Sequence, residues 1–275
     1  MKRDKLWRVV LFAVVLLIAL AFILPFVIIV CNSLKELQDI VKAPLSLPTV
    51  LHWENYIKVF SYIDVPLVVR NTIMICLCSL AGLIVFCSMA AYWCECYPSA
   101  FSNLYKKILL VSMLVPFASL MIPLVKVMRT LGLNNTLFGV ALTFWGIGQA
   151  FAFFIIDSSA QAVPRTIYEA ARIDGAGPVT IYFRIAFPLM RSAITTVFLM
   201  DLFWIWNDFT VSLILLNNRS LSTIQLAINS LFGAYASKWD VALPALVLTI
   251  MPVLVVYIVL QRYIIEGINA GSVKG

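Results

Sequence analysis

Six apolar runs, separated by polar intervals, leave this 275-residue chain few ways to fold. A helix needs roughly 20 apolar residues to cross the hydrocarbon core of a bilayer. Runs of about this kind extend from Val9 to Cys31, Asn71 to Trp93, Ile108 to Met128 and Leu137 to Ile156. Two more extend from Ser192 to Trp206, with an approach from Ile185, and from Leu243 to Tyr263. The chain is 63% hydrophobic and only 12% charged, so a soluble domain of this length has no means of hiding its apolar surface. The pattern predicts an all-α membrane protein with six transmembrane helices. It predicts a single domain over residues 1–275, with core helices over about 71–263. The start, with Lys2, Arg3, Lys5 and Arg8 ahead of an apolar run, mimics a signal peptide. The run is too long for a signal core and no small-residue cleavage site follows, so it reads as a retained helix. Pro116 and Pro123 predict a kink in the third run.

The basic residues give the orientation. Of the 20 Lys and Arg, 12 fall on the side that holds both ends of the chain and the interval between the fourth and fifth runs. The excess of positive charge places that side in the cytoplasm. An even number of crossings puts both termini on one side, which agrees. The intervals from Asn32 to Arg70 and from Asn207 to Ala242 then face outward. They carry Trp53, Tyr56, Tyr235 and Trp239, residues suited to an interfacial belt or to docking an external partner.

The chemistry of a catalyst is missing. A net charge of +7 sits at segment ends and never forms a basic run with interleaved aromatics, so nucleic acid is not an expected partner. No Gly is followed by Lys, which rules out a phosphate-binding loop. The single His, His52, supports neither a catalytic triad nor a zinc site. Cys31, Cys76, Cys78, Cys87, Cys94 and Cys96 read as small apolar residues, since thiols two apart on a helix point to different faces. The expectation is no catalytic residue, no metal and no cofactor held by this chain.

The polar interval before the fifth run holds the most specific pattern. Pro164 suits a first helical turn, and Asp174-Gly175 suits a helix end, because Gly takes the left-handed backbone that closes one. Gly177-Pro178 lets the chain turn and begin again. The spacing predicts a short helix over about 164–177. Ala170 and Ala171 leave a flank bare enough for another surface to approach, and Glu169 adds one charge to it. Glu169 is alternatively placed to pair internally with Arg165 or Arg172, four and three residues away.

Glu169-Ala170-Ala171, three residues, Gly175, nine residues and Ile185-Ala186-Phe187-Pro188 together resemble the EAA signature of the membrane subunits of ABC importers. The one departure is Phe187, where that family usually has Leu. The resemblance implies a type I importer permease fold in the bacterial inner membrane, with the EAA segment as a cytoplasmic coupling helix. It implies a second homologous permease subunit, two ABC ATPase subunits that bind the ATP, and an extracytoplasmic solute-binding protein. Glu169, Ala170, Ala171, Asp174, Gly175, Ile185 and Pro188 are the expected coupling residues. Glu169 or Asp174 would latch to a basic residue of the ATPase.

Further stretches resemble the carbohydrate branch of that family, of the smaller maltose-permease kind. They are Asn32-Ser33-Leu34-Lys35, Trp206-Asn207-Asp208-Phe209, and the tail from Gln261-Arg262-Tyr263 through Gly267 to Ala270-Gly271-Ser272-Val273-Lys274-Gly275. Aromatic faces beside amide and carboxylate acceptors suit a sugar, so Asn207 and Asp208 are candidate pathway residues; the alternative is simple capping of a helix end. Asp201 is a third candidate pathway residue: it lies inside the fifth run, where a charge costs about 2.5–3.5 kcal/mol or more, and is expected to face the bundle interior or a wet cavity. Import of another solute, such as a polyamine or glycerol-phosphate, fits the same frame. An ion-driven secondary transporter would need more buried ionisable groups than Asp201.

Overall fold

The computed structural model describes residues 2–232 and 238–272, with side chains at 7–232, 238–259 and 261. Tyr235 and the terminal Val273-Lys274-Gly275 lie outside the described residues. The helices are α1 (Lys2–Ser33), α2 (Leu37–Lys42), α3 (Glu54–Tyr62), α4 (Val65–Cys96), α5 (Ala100–Ser112) and α6 (Phe117–Thr130). They continue as α7 (Leu137–Gln161), α8 (Arg165–Ile173), α9 (Pro178–Leu189) and α10 (Arg191–Trp206). Beyond these come α11 (Thr210–Leu215), α12 (Ile224–Asn229) and α13 (Trp239–Ser272).

Four helices are long and apolar enough to cross a membrane unbroken: residues Trp7–Ser33, α4, α7 and Trp239–Val259. Two further pairs meet the same measure only when taken together. α5 and α6 are bent by 110° at their junction, and α9 and α10 by 72°. Six crossings result if each bent pair counts as one. The third run is therefore not one kinked helix. α5 stops at Ser112, and Pro116 caps the start of α6. A proline has no N–H for the ladder and keeps the residue before it out of the helical region, so it ends one helix and begins the next. Pro123 lies inside α6.

The chain divides into two compact units, Met1–Val65 with Ala227–Leu254, and Pro66–Leu226 with Val255–Gly275. In the first, Lys35 is buried to 2% exposure and its ammonium donates to Asn32 Oδ1, the Ala43 carbonyl and Ser46 Oγ. Asn55 Nδ2 donates to the Ser33 and Lys35 carbonyls. These bonds pin the loop after α1 and explain why the Asn32-Ser33-Leu34-Lys35 stretch is polar at the end of so apolar a helix. Nearby, a hydrogen bond to His52 holds the Glu54 carboxyl below its usual range.

In the second unit α4, α7 and α10 form the core. Side chains such as Leu83, Val140, Phe144, Phe153 and Val197 are fully buried there. Glycines on these helices leave room for large side chains of their neighbours. Trp145 lies flat against Gly82 and donates through Nε1 to the Cys78 carbonyl at 2.9 Å. A Cβ at 82 would fall inside the indole ring. Gly82→Ala is expected to push Trp145 out of its seat and destabilise the bundle by about 1–3 kcal/mol, measured as a loss of thermal stability in detergent. The stretch at 217–222 is tied down by side-chain amides. Asn71 Nδ2 donates to the Ser220 and Ser222 carbonyls, and Asn135 Oδ1 accepts from the Asn217 and Asn218 amides.

Candidate coupling helix and adjoining cleft

α8 is shorter than the expected span of about 164–177, running from Arg165 to Ile173, but it closes at Asp174-Gly175 as predicted. Pro164 occupies the N-cap position, in extended backbone. Gly175 has φ +80°, and the chain closes with the Gly175 amide on the Arg172 carbonyl and the Ala176 amide on the Ala171 carbonyl. This pair of bonds satisfies the last carbonyls of a helix and requires a left-handed residue at the glycine position. The chain then turns directly into α9.

One face of α8 is fastened to its own bundle. Tyr168 is 2% and Ala171 8% exposed. Tyr168 packs edge-on against Tyr92 of α4 at 5.7 Å, and Tyr92 contacts Tyr182 of α9 at the same separation. The Tyr92 hydroxyl donates to the Pro178 carbonyl at 3.3 Å. Burial pushes the Tyr168 phenol up to about 12. Arg172 lies over the Tyr97 ring at 4.9 Å, and Arg165 lies 3.9 Å from Glu95. The Ala171 methyl thus belongs to the inward face, and the bare flank consists of Glu169, Ala170 and Ile173.

The outward face is unpartnered. Neither the Glu169 nor the Asp174 carboxylate has a hydrogen-bond or ion-pair partner among the described residues, and both residues are exposed. The internal pairing of Glu169 with Arg165 or Arg172 does not form, because Arg165 turns to Glu95 of α4 and Arg172 to Tyr97 just beyond it. Ile173 is 86% exposed. A charge, a small residue and a large apolar side chain are therefore presented together on a short helix whose other face is fixed.

The rest of the motif builds the return. Residues Tyr182–Ala186 wind as a π-helix, with the Phe187 amide bonded to the Tyr182 carbonyl. Pro188 follows within the same helix, where its ring would clash with a carbonyl four residues back in regular winding. The wider turn displaces that carbonyl, and such turns are frequent at functional sites. Ile185 is half-buried and Pro188 exposed. Tyr182 is fixed by a 2.7 Å bond between its hydroxyl and that of Ser88 on α4. Pro188 therefore lies near the end of α9, and the return itself begins at Pro178.

The remaining predicted residues lie further along. A cleft of about 540 Å³ opens between the α5–α6 bend, α7 and the junction of α10 with α11. Ser112, Phe117, Phe151, Trp204, Asp208 and Thr210 line it. The Asp208 carboxylate accepts from the Val211 amide, the Ser212 amide and the Ser212 hydroxyl, so it caps α11. Capping and a place in the cleft wall are therefore combined in one residue. Asn207 donates back to the Phe203 carbonyl at 2.8 Å and is otherwise exposed. Asp201 is only 1% exposed, on the inner side of α10, and its Oδ2 has no hydrogen-bond partner.

A cluster not anticipated from the sequence adjoins α8. Lys106 of α5 lies 2.9 Å from both Glu95 of α4 and Asp157 of α7. Its signal was available: a Glu and an Asp at the ends of apolar runs need a cation within reach.

Fold and site together define a polytopic helical membrane protein that presents a short, firmly mounted helix between two of its crossings. The chain belongs to the family described as binding-protein-dependent transport system inner membrane component, whose model matches residues 84–269. It is 32% identical to the lactose transport system permease protein LacG of Rhizobium radiobacter, over 99% of this chain and 98% of that one. It is 31% identical to AmyC of Thermoanaerobacterium thermosulfurigenes, described as a probable starch degradation products transport system permease, over 94% of each chain. Among solved structures, a chain of a bacterial ABC transporter involved in the import of the acidic polysaccharide alginate superposes with a TM-score of 0.84. That match has 22% identity and covers 96% of this chain and 98% of the other.

Proposed function

We propose that this chain is a permease subunit of an ATP-driven importer of a sugar or oligosaccharide, forming half of the translocation pathway. It pairs with a second, related permease. Two ABC ATPase subunits sit below and bind the nucleotide, and an extracytoplasmic binding protein delivers the solute. Both termini and α8 lie in the cytoplasm. The observation that carries this reading is α8 itself: its inner face is bolted to the bundle by Tyr168 and Ala171, while Glu169 stands exposed and unpaired. A helix so held transmits displacement of whatever grips its outer face. Glu169 is the latch to a basic residue of the ATPase.

The saccharide assignment rests on the solutes named for the relatives and on the makeup of the cleft. Trp204 offers an apolar ring face, and Asp208, Thr210 and Ser112 offer polar atoms beside it. These are the two surfaces that a sugar presents, its ring faces and its hydroxyls.

Glu169→Lys tests the coupling. The fold is expected to hold, because the Glu169 side chain is exposed and makes no hydrogen bond or ion pair among the described residues. The expected result is normal membrane insertion with ATPase copurification reduced at least about tenfold, since a like charge replaces one side of an ion pair. Undiminished copurification would remove the coupling assignment. Continued saccharide uptake with ATP hydrolysis blocked and the ion gradient intact would point instead to a secondary transporter.

A further inference from the structure

Charged side chains from three helices converge at the root of α8. Lys106 Nζ lies 2.9 Å from Glu95 Oε1 and 2.9 Å from the Asp157 carboxylate. Asp157 is buried, at 2% exposure, and its Oδ2 also accepts from Gln161 Nε2 at 2.7 Å. Gln161 is the last residue of α7, three residues before Pro164 caps α8. The second oxygen of Glu95 faces Arg165, the first residue of α8, at 3.9 Å. Followed in order, the contacts run from the end of α7 through Asp157, Lys106 and Glu95 to the start of α8. They close a ring around the short linker at 162–164.

We propose that Lys106 is a positioning residue for the coupling helix: by joining Glu95 and Asp157 it locks the ends of α4 and α7 to the middle of α5 as one mount on which α8 rides rigidly. The proposal rests on the coupling role assigned above. Tyr168 and Ala171 seat the middle of α8, but the three-residue linker does not hold its first turn; a bend there would absorb part of the motion of the ATPase before it reached α7. The ring removes that slack. Among the described residues Lys106 is the one cation paired with both carboxylates, so its removal opens the ring at two points together. The bland alternative is that Lys106 only neutralises two helix-end carboxylates, with no bearing on how α8 moves.

The test uses the assembled transporter, with spin labels inserted as unnatural amino acids at Ile167 of α8 and Leu104 of α5. Leu104 is 54% exposed and Ile167 38%, on the flank of α8 away from Glu169. Inter-label distances are measured without nucleotide and with ATP plus vanadate. With Lys106 present, the distribution is expected to be narrow and identical in both states. In Lys106→Met it is expected to shift with nucleotide or to broaden in both, and Lys106→Arg is expected to restore it. A Lys106→Met distribution as narrow and as nucleotide-independent as the unmutated one overturns the proposal, as does a nucleotide-dependent shift in the unmutated chain. Should Lys106→Met fail to assemble, Glu95→Gln keeps an acceptor for Lys106 and discharges the link to Arg165. An unchanged distribution in that variant is equally fatal. Failure of the unmutated chain to retain an ATPase appears before any variant is made, and it removes the coupling reading itself.

Discussion

In a chain carrying Gly175→Val, ATPase copurification is expected to fall about 5- to 30-fold while the protein still inserts in the membrane. Gly175 holds φ +80° at the end of α8, with open space where a side chain would go. Sterics between a side chain and its neighbours are therefore not the obstacle; backbone conformation is. A β-branched residue in the left-handed region costs roughly 1–2 kcal/mol. The helix end escapes that strain by rewinding, which redirects Asp174 and alters the angle at which α8 enters α9. Docking then requires restoring the strained form, and 1–2 kcal/mol converts to the stated loss of affinity. Gly175→Asn is the control, because Asn tolerates this conformation far better than Val. It is expected to recover most of the binding. Equal losses in both variants would mean that the absence of a side chain, and not the left-handed turn, is what the partner reads.

Asp201→Leu is expected to do the opposite to stability, raising it by about 3 kcal/mol. Asp201 is 1% exposed in the middle of α10, and one of its oxygens has no partner. Leu is bulkier than Asp but apolar, and it removes a polar group that the surroundings do not satisfy. The measurement is the unfolding midpoint in detergent, which is expected to rise by several degrees. A residue retained against such a cost is retained for what it does, so uptake is expected to fall even as the protein becomes more robust. A drop in the midpoint would show that the carboxylate is held by a bond within the bundle, and the assignment of Asp201 to the pathway would lose its basis.

The sequence was most informative where a local rule has one solution. Gly175 after Asp174 could only be a helix end, and it is one, with the left-handed backbone expected. Long apolar runs could only be membrane helices. It was least informative where two arrangements share the same composition. The stretch from Ile108 to Met128 is apolar throughout, so hydropathy does not separate one kinked helix from two helices bent by 110°. The inward face of α8 was legible in Tyr168 and Ala171 at a spacing of three, yet Ala171 had been grouped with its neighbour Ala170 by motif and not by face. The ring around Lys106 escaped because its members are far apart in the chain. In the sequence Lys106 is one of the basic residues that mark the cytoplasmic side, and only its contacts 11 and 51 residues away reveal what it joins.

The π-wound segment at Tyr182–Ala186 has a consequence for how this chain can vary in length. One residue more or fewer there would swing everything downstream by about 100° about the helix axis. The carboxylate of Asp201 would be carried from its sealed seat toward hydrocarbon, and Trp204 would leave the wall that it helps to form. Deletions or insertions between Ser88's partner Tyr182 and the start of α10 should therefore be far more damaging than substitutions at the same sites, because no repacking of side chains undoes a rotation.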